Sequence, residues 1–268
     1  MKVGILYFGV GRYSIFWKKF YKSAEQFLLN DCEKEYYVFT DSENILQEAH
    51  NKNVYVYAQE SLGWPNMSLM RFEIFFRAYD RLQNVDYIVF FNANIEIKRN
   101  IYANDFLPIL PEDNLLVCLH PYYYNKPIDE FPYDRNNNNR ACIPKGKGRY
   151  YVQGALQGGR TKFFLEAIAI LKDWVNEDLK KGVVPVWHDE SYWNKYILDR
   201  TDLKVLSPSY LYPEGKHLPF EKKIEIVDKG RHFGFDYLRG YRDTPESDLK
   251  LFFKDNVRKF KKLILKKV

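Results

Sequence analysis

An α/β fold with a mostly parallel central sheet flanked by helices is what this sequence predicts, on three observations. Short apolar runs of strand character alternate with segments of helical spacing, the pattern of a sheet covered on both faces. At 268 residues, with 46% hydrophobic and 28% charged side chains, the chain is long enough to bury one substantial core. The strands also break off into "YFGVGRY", "FTD" and "NAN", three stretches for the rim beyond the carboxyl ends of the strands, where ligands of such sheets sit.

Lys2–Tyr7 reads as the first strand, and Ile15, Phe16, Phe20, Ala24, Phe27 and Leu28 recur behind it at helical spacing. "EYYVFTD" and "NVYVYA" are two more strands. "SLMRFEIFFRAYDRL" is expected to be one helix capped by Ser68, leading into the strand "VDYIVFF". The run "VDYIVFFNANIEI", residues 85–97, is expected to carry Asn92, Asn94 and Glu96 in alternation along extended chain. Beyond "NLLVCLHP" come about thirty residues rich in Asn, Pro, Tyr and Lys without a period, and a long loop inside a compact domain is usually functional or disordered. Within it "NNNN", 136–139, reads as an exposed tip. "VQGALQGG" then places three glycines within six residues, a helix runs from about Thr161 to Lys181, and another carries "WHDESYWNKYIL". Residues 1–244 are expected to form a single domain, and 245–268 a basic amphipathic helix.

Charge narrows the function classes. The net charge is +6, but residues 249–268 hold eight Lys or Arg against one Asp, so the body of the chain is nearly neutral. A nucleic-acid binder spreads its basic residues over a contact face, so no nucleic-acid partner is expected. The terminal helix suits either packing on its own domain or weak contact with an anionic membrane surface. No apolar stretch near the N-terminus is long enough for a signal segment or membrane span, so a cytoplasmic location is the expectation, with a peripheral membrane location as the alternative. Cys32, Cys118 and Cys142 are an odd number without metal-ligand spacing, so they predict neither a disulfide framework nor a zinc site.

The densest polar cluster is "WHDESYWNKY", where Trp187, His188, Asp189 and Glu190 precede a helix. A carboxylate beside an indole and an imidazole can hold a sugar and bond its hydroxyls, although acidic residues at a helix start are also common for structural reasons. Arg71, Lys229 and Arg231, with the glycine-containing loop after the first strand, are the groups a diphosphate site without a metal requires.

With those segments assembled, the chain resembles glycosyltransferase family 6, which includes the blood-group A and B transferases and the α-1,3-galactosyltransferases. The resemblance rests on "YFGVGRY", "YYVFTD", "NMSLMRFEIF", "VDYIVFFNANIEI", "LHP", "FPYDR", "YYVQGALQGG", "WHDESYWNKYIL", "KVLSPSYLYP" and "IVDKGRHFG", over roughly residues 3–235. It implies a GT-A fold and retaining transfer of galactose or N-acetylgalactosamine from a UDP-sugar to the 3-hydroxyl of a galactoside. By matching position, Phe8, Gly9, Val10 and Tyr13 face the uridine, and Arg71 lies near the nucleotide and donor sugar. Gln153, Gly154 and Ala155 fall where the family distinguishes its donors. His120, Trp187 and Glu190 meet the acceptor, Asp189 meets the donor sugar, and Glu190 is the nucleophile or cation stabiliser. Lys229 and Arg231 match the tail that closes over the diphosphate.

The departures shape the expectation. Asn92 and Asn94 replace the family's Asp-x-Asp, and two neutral amides make a poor divalent site. Transfer without a metal or other cofactor is therefore expected, with Asn92 and Asn94 on the ribose and phosphates and Lys229, Arg231 and Arg71 supplying charge. Pro132 and Pro213 stand where the family has threonine and aspartate, with Glu214 one residue later. N-acetylgalactosamine is the expected sugar and a fucosylated, blood-group H-like galactoside the expected acceptor. The rival expectation is a sugar- or nucleotide-binding module on a transferase scaffold without activity.

Overall fold

A computed structural model describes residues 1–46 and 53–245 of the chain. The expected helix over 245–268 therefore lies, apart from Pro245, outside the described residues. Among the described residues no helix is long and apolar enough to cross a membrane.

Strand β1 (Lys2–Phe8) is buried from Val3 onward and lies between β2 (Glu33–Thr40) and β4 (Tyr87–Phe91), parallel to both. β3 (Val54–Ala58) extends the parallel run outside β2. On the other side the order continues through β7 (Val152–Arg160), β6 (Leu115–Leu119) and β8 (Leu203–Leu206), giving a seven-stranded sheet in which β7 alone runs antiparallel. The expected mostly parallel α/β architecture is thus present. Runs such as "YIVFF" are apolar at every position because helices cover both faces of the sheet.

The glycines of "VQGALQGG" belong to this antiparallel strand. A Cβ on Gly158 would lie 2.5 Å from the Ile88 carbonyl oxygen, and one on Gly159 would lie 2.5 Å from that of Asn114. Glycine is required there because neighbouring backbone approaches too closely for any side chain.

Apolar side chains gather on each face. One cluster packs the Trp17–Phe27 helix and its aromatics Trp17 and Phe20 against Tyr7 and Phe91. The other packs Phe72 and Phe75 with the Thr161–Lys180 helix, through Phe164 and Ile168. A third, smaller cluster of Phe131, Tyr133, Ile143 and Tyr151 forms inside the long irregular segment, which therefore has a core of its own.

Three expectations are corrected. The segment from Ser68 is not one helix but three short ones, Asn66–Leu69, Arg71–Phe76 and Tyr79–Leu82, and Ser68 lies inside the first without capping it. Its aromatic run has modest helix propensity, and burial of Phe72, Ile74 and Phe75 decides the path instead. Second, Asn92, Asn94 and Glu96 do not alternate along one extended strand. β4 ends at Phe91, the chain turns at Ala93 and Asn94, and β5 (Ile95–Ile97) joins a separate sheet with β10 (Ile224–Ile226) and β9 (Tyr212–Pro213). Asparagine tolerates such turns readily. Third, within "NNNN" Asn136, Asn137 and Asn138 are exposed as expected, but Asn139 is buried, its amide donating to Asp134 Oδ1 at 2.9 Å.

Candidate active site

The carboxyl ends of β1 and β4 open onto a cavity of about 490 Å³, within the size range of small-molecule sites. Its floor is built by a network that joins β7 to the Asp189–Tyr196 helix. Asn194, buried, accepts from the Val152 amide at 3.0 Å and donates to the Val152 carbonyl at 2.9 Å. This docks "YYVQG" against "WHDE". One helical turn earlier, Gly154 N–H donates to Glu190 Oε2 at 2.8 Å and the Tyr151 hydroxyl donates to Oε1 at 2.6 Å. Both carboxylate oxygens are thus held. Burial pushes the Glu190 carboxyl up to about 7, opposed by these two donors.

Asp189, next in the floor, is ion-paired with Arg71, whose guanidinium also donates to the Gly154 carbonyl at 2.8 Å and lies 4.2 Å over the Phe90 ring. Burial raises the Asp189 carboxyl and lowers the Arg71 guanidinium, but their mutual attraction opposes both shifts and the pair is ionised. His188 precedes the helix with φ 51° and ψ −124°, a sparsely populated region that costs a non-glycine residue on the order of 1–3 kcal/mol. The turn there is fastened by the Trp187 amide donating to Ser191 Oγ at 3.0 Å. From outside, buried Asp134 accepts from the Val186 amide at 2.8 Å.

The opposite wall is cationic. Lys229, at the start of the Lys229–Phe233 helix, lies 5.1 Å over the Tyr13 ring. Burial first, then repulsion from Arg71 and Arg239, pushes its ammonium down to about 8. Arg239 stacks 4.0 Å over Trp64 and its Nε is buried without a partner. Among the described residues no carboxylate lies within ion-pair distance of either Lys229 or Arg239.

Phe8, Val10, Tyr13, Arg71, Asn92, Gln153, Gly154, Ala155, Trp187, Asp189, Glu190 and Lys229, all expected from the sequence, line this one cavity. Four expected residues do not. Gly9 faces inward, its carbonyl accepting from Thr40 Oγ1 at 2.6 Å. Asn94 is buried and donates to the Val227 carbonyl at 2.7 Å while accepting from Asn92 Nδ2 at 3.2 Å, so it holds β10 rather than facing the cavity. Arg231 points toward Gly215, away from the opening. His120 stands behind Tyr151, their rings 5.5 Å apart, where burial pushes it down to about 4 and keeps it neutral. Trp64, Arg239, Arg12 and Tyr151 were not singled out in the sequence. Arg12 lines the opening and donates to the Tyr237 carbonyl at 2.9 Å, tying the late Phe235–Leu238 helix to the loop after β1.

Comparison with known proteins gives a consistent result. The family model described as Glycosyltransferase family 6 matches residues 1–233. The O-antigen biosynthesis glycosyltransferase WbnI of Escherichia coli is 36% identical over 231 residues, covering 86% of this chain and 96% of that protein. Globoside alpha-1,3-N-acetylgalactosaminyltransferase 1 of Gallus gallus is 30% identical over 239 residues, covering 85% of this chain and 68% of its own length. Histo-blood group ABO system transferase 2 of Rattus norvegicus is 30% identical over 218 residues, covering 79% and 64%. The chain spans about two thirds of the length of these two animal relatives.

Proposed function

The chain belongs to glycosyltransferase family 6, and from that premise we propose that it transfers N-acetylgalactosamine from UDP-N-acetylgalactosamine, with retention and without a divalent metal, in α-1,3 linkage to a fucosylated galactoside. Its place in the family makes it a hexosyltransferase acting on a nucleotide-sugar donor and a glycan acceptor. The finer choices rest on the site.

The observation that carries the proposal is the cationic wall facing a carboxylate held by two donors. Lys229 and Arg239 lie together without a counter-anion among the described residues, and a diphosphate supplies one. Breaking the bond between the anomeric carbon and the diphosphate leaves its electron pair on the leaving oxygen, where these cations stabilise it. Glu190 acts at the anomeric carbon, either bonding to it or holding its developing positive charge. The acceptor hydroxyl oxygen then bonds to the anomeric carbon, displacing Glu190 as free carboxylate where it has bonded there, and the hydroxyl proton leaves with UDP. Both routes require Glu190 ionised.

A metal at the Asp-x-Asp position of the family would need anionic oxygens. Here Asn94 is engaged with Val227 and Asn92, and both amides are neutral, so the residues present do not fit a tight divalent ion. The sugar preference rests on Gln153, whose Oε1 is buried in the cavity wall without a donor. An acetamido N–H supplies that donor, and the small side chain of Ala155 leaves room beside it.

The test is a donor panel with a fucosylated galactoside, following UDP release in EDTA and again with manganese. Turnover highest with UDP-N-acetylgalactosamine and unaffected by EDTA is the expected result. A preference for UDP-galactose overturns the donor, loss in EDTA with recovery in manganese overturns the metal-free route, and binding without turnover overturns the enzyme.

A further inference from the structure

We propose that Tyr151 is a positioning residue for Glu190, its hydroxyl fixing the plane of the carboxylate. This rests on Glu190 being the carboxylate that acts at the anomeric carbon.

The long segment over 121–151 has no periodic structure, yet it builds its own apolar cluster. Tyr151 is at the centre of that cluster, 2% exposed, with ring centroids 5.5 Å from Tyr133, 6.0 Å from Phe131 and 5.1 Å from Tyr123. Its backbone is fixed from two sides: the Tyr133 hydroxyl donates to the preceding Tyr150 carbonyl, and Asn194 grips the following Val152. Packing and backbone together leave the hydroxyl little choice of position, and it meets Glu190 Oε1 at 2.6 Å. A phenol buried this deeply beside a carboxylate keeps its proton and acts as donor.

Two consequences follow for the reacting group. Gly154 N–H and the Tyr151 hydroxyl each take one oxygen, so the carboxylate cannot rotate about its last bond without breaking a charge-assisted hydrogen bond. His120, which does not line the cavity, packs against the same tyrosine ring, 5.5 Å between centroids, so His120 and the carboxylate share one side chain. The irregular segment thereby acts as scaffold for the chemistry, although none of it other than Tyr151 touches Glu190 in the hydrogen-bond network.

The experiment is the pH dependence of kcat/KM in Tyr151→Phe, which keeps the ring and removes the donor, with Tyr123→Phe as the control in the same cluster. In Tyr151→Phe the acidic limb is expected to move up by about one pH unit, with activity at pH 7 down by about tenfold and partly regained at higher pH. Tyr123→Phe should leave the limb in place. If Tyr151→Phe fails to fold, 3-fluorotyrosine at position 151 keeps the packing and strengthens the donor, and the limb is expected to move down. A limb at the parental pH in either variant at position 151, or an equal shift in Tyr123→Phe, overturns the proposal. Glu190→Gln measured alongside separates the levels: parental turnover there removes the underlying reading, whereas an inactive Glu190→Gln with unmoved limbs removes only the role of Tyr151.

Discussion

Arg71 and Asp189 neutralise one another inside the protein, each about 5% exposed, beneath the cavity that the sequence expected Arg71 to charge. The pair braces the floor by joining the Arg71–Phe76 helix to the Asp189–Tyr196 helix and, through the Gly154 carbonyl, to β7. Taking one member away leaves the other buried without compensation, which costs about 3–5 kcal/mol. Arg71→Ala and Asp189→Ala are therefore each expected to lower the urea midpoint strongly, and the double variant to lose less than the sum. Additive losses would show that the pair does not act as a unit.

With Arg71 engaged, the charge for the leaving diphosphate falls to Lys229 and Arg239. Lys229→Met and Arg239→Met are each expected to cut kcat by about 10²–10³, the magnitude of one lost charge-stabilising group, with no recovery in manganese. Arg231→Ala should stay within about threefold of the parent, because its guanidinium faces Gly215 outside the cavity. Steady-state kinetics on the three variants checks the assignment, and a loss at Arg231 equal to that at Lys229 would contradict it.

The contrast between Arg231 and Arg239 shows what the sequence carried and what it did not. The parallel sheet was legible because buried strands are apolar throughout, and the "WHDE" cluster because polar residues stand out in a segment suited to burial. Lys229 was legible by its motif. Arg231, two residues on, lies on the other side of a five-residue helix, and only the fold shows which faces the cavity. Arg239 lies in "YLRGY", a surface-like stretch brought over the cavity by Arg12 and Trp64, which are far away in sequence. Tyr151 was hidden in a segment without a period, where side-chain packing rather than spacing sets position. Asn94 misled because the chain turns at the residue where alternation was expected to continue, and the turn directs its amide to Val227.

The two titrating groups set the pH range of activity. Glu190 must be ionised and its carboxyl sits at about 7, so kcat/KM should fall tenfold per pH unit below that value. Lys229 must be protonated and its ammonium sits at about 8, so kcat/KM should fall above it. The result is a narrow bell between these limbs. Bound diphosphate stabilises the ammonium, so the alkaline limb of kcat should lie at higher pH than that of kcat/KM. Coincident alkaline limbs would show that Lys229 does not meet the donor.

Stability runs in the opposite direction to activity at Glu190. Its carboxyl is raised in the folded state, so its contribution favours folding below the unfolded value and is lost as pH rises through about 7. Glu190→Gln keeps the shape and removes the buried charge. At pH 8 it is expected to be more stable than the parent by roughly 3 kcal/mol, and at pH 4 about equal to it. Denaturant unfolding at both pH values checks this, and equal stability of the two proteins at pH 8 would show that the carboxylate carries no burial cost.

Gly154 and Ala155 separate catalysis from donor choice. A Cβ on Gly154 would lie 3.0 Å from Asp189 Oδ2 and 3.1 Å from Glu190 Cβ. Neither neighbour can yield easily, because Arg71 pins Asp189 and Tyr151 pins Glu190. Gly154→Ala should therefore displace the reacting carboxylate and lower kcat by about 10–100-fold with both UDP-sugars alike. Ala155 lines the cavity without touching Glu190, and its carbonyl accepts from the Asn92 amide at 2.9 Å, a bond any residue can keep. Ala155→Met fills space rather than moving the carboxylate. It should depress turnover with UDP-N-acetylgalactosamine by about tenfold more than with UDP-galactose, the scale on which a pocket rejects added bulk. Rates for both donors on both variants give the decisive comparison. A donor split in Gly154→Ala together with a uniform loss in Ala155→Met would reverse the two assignments.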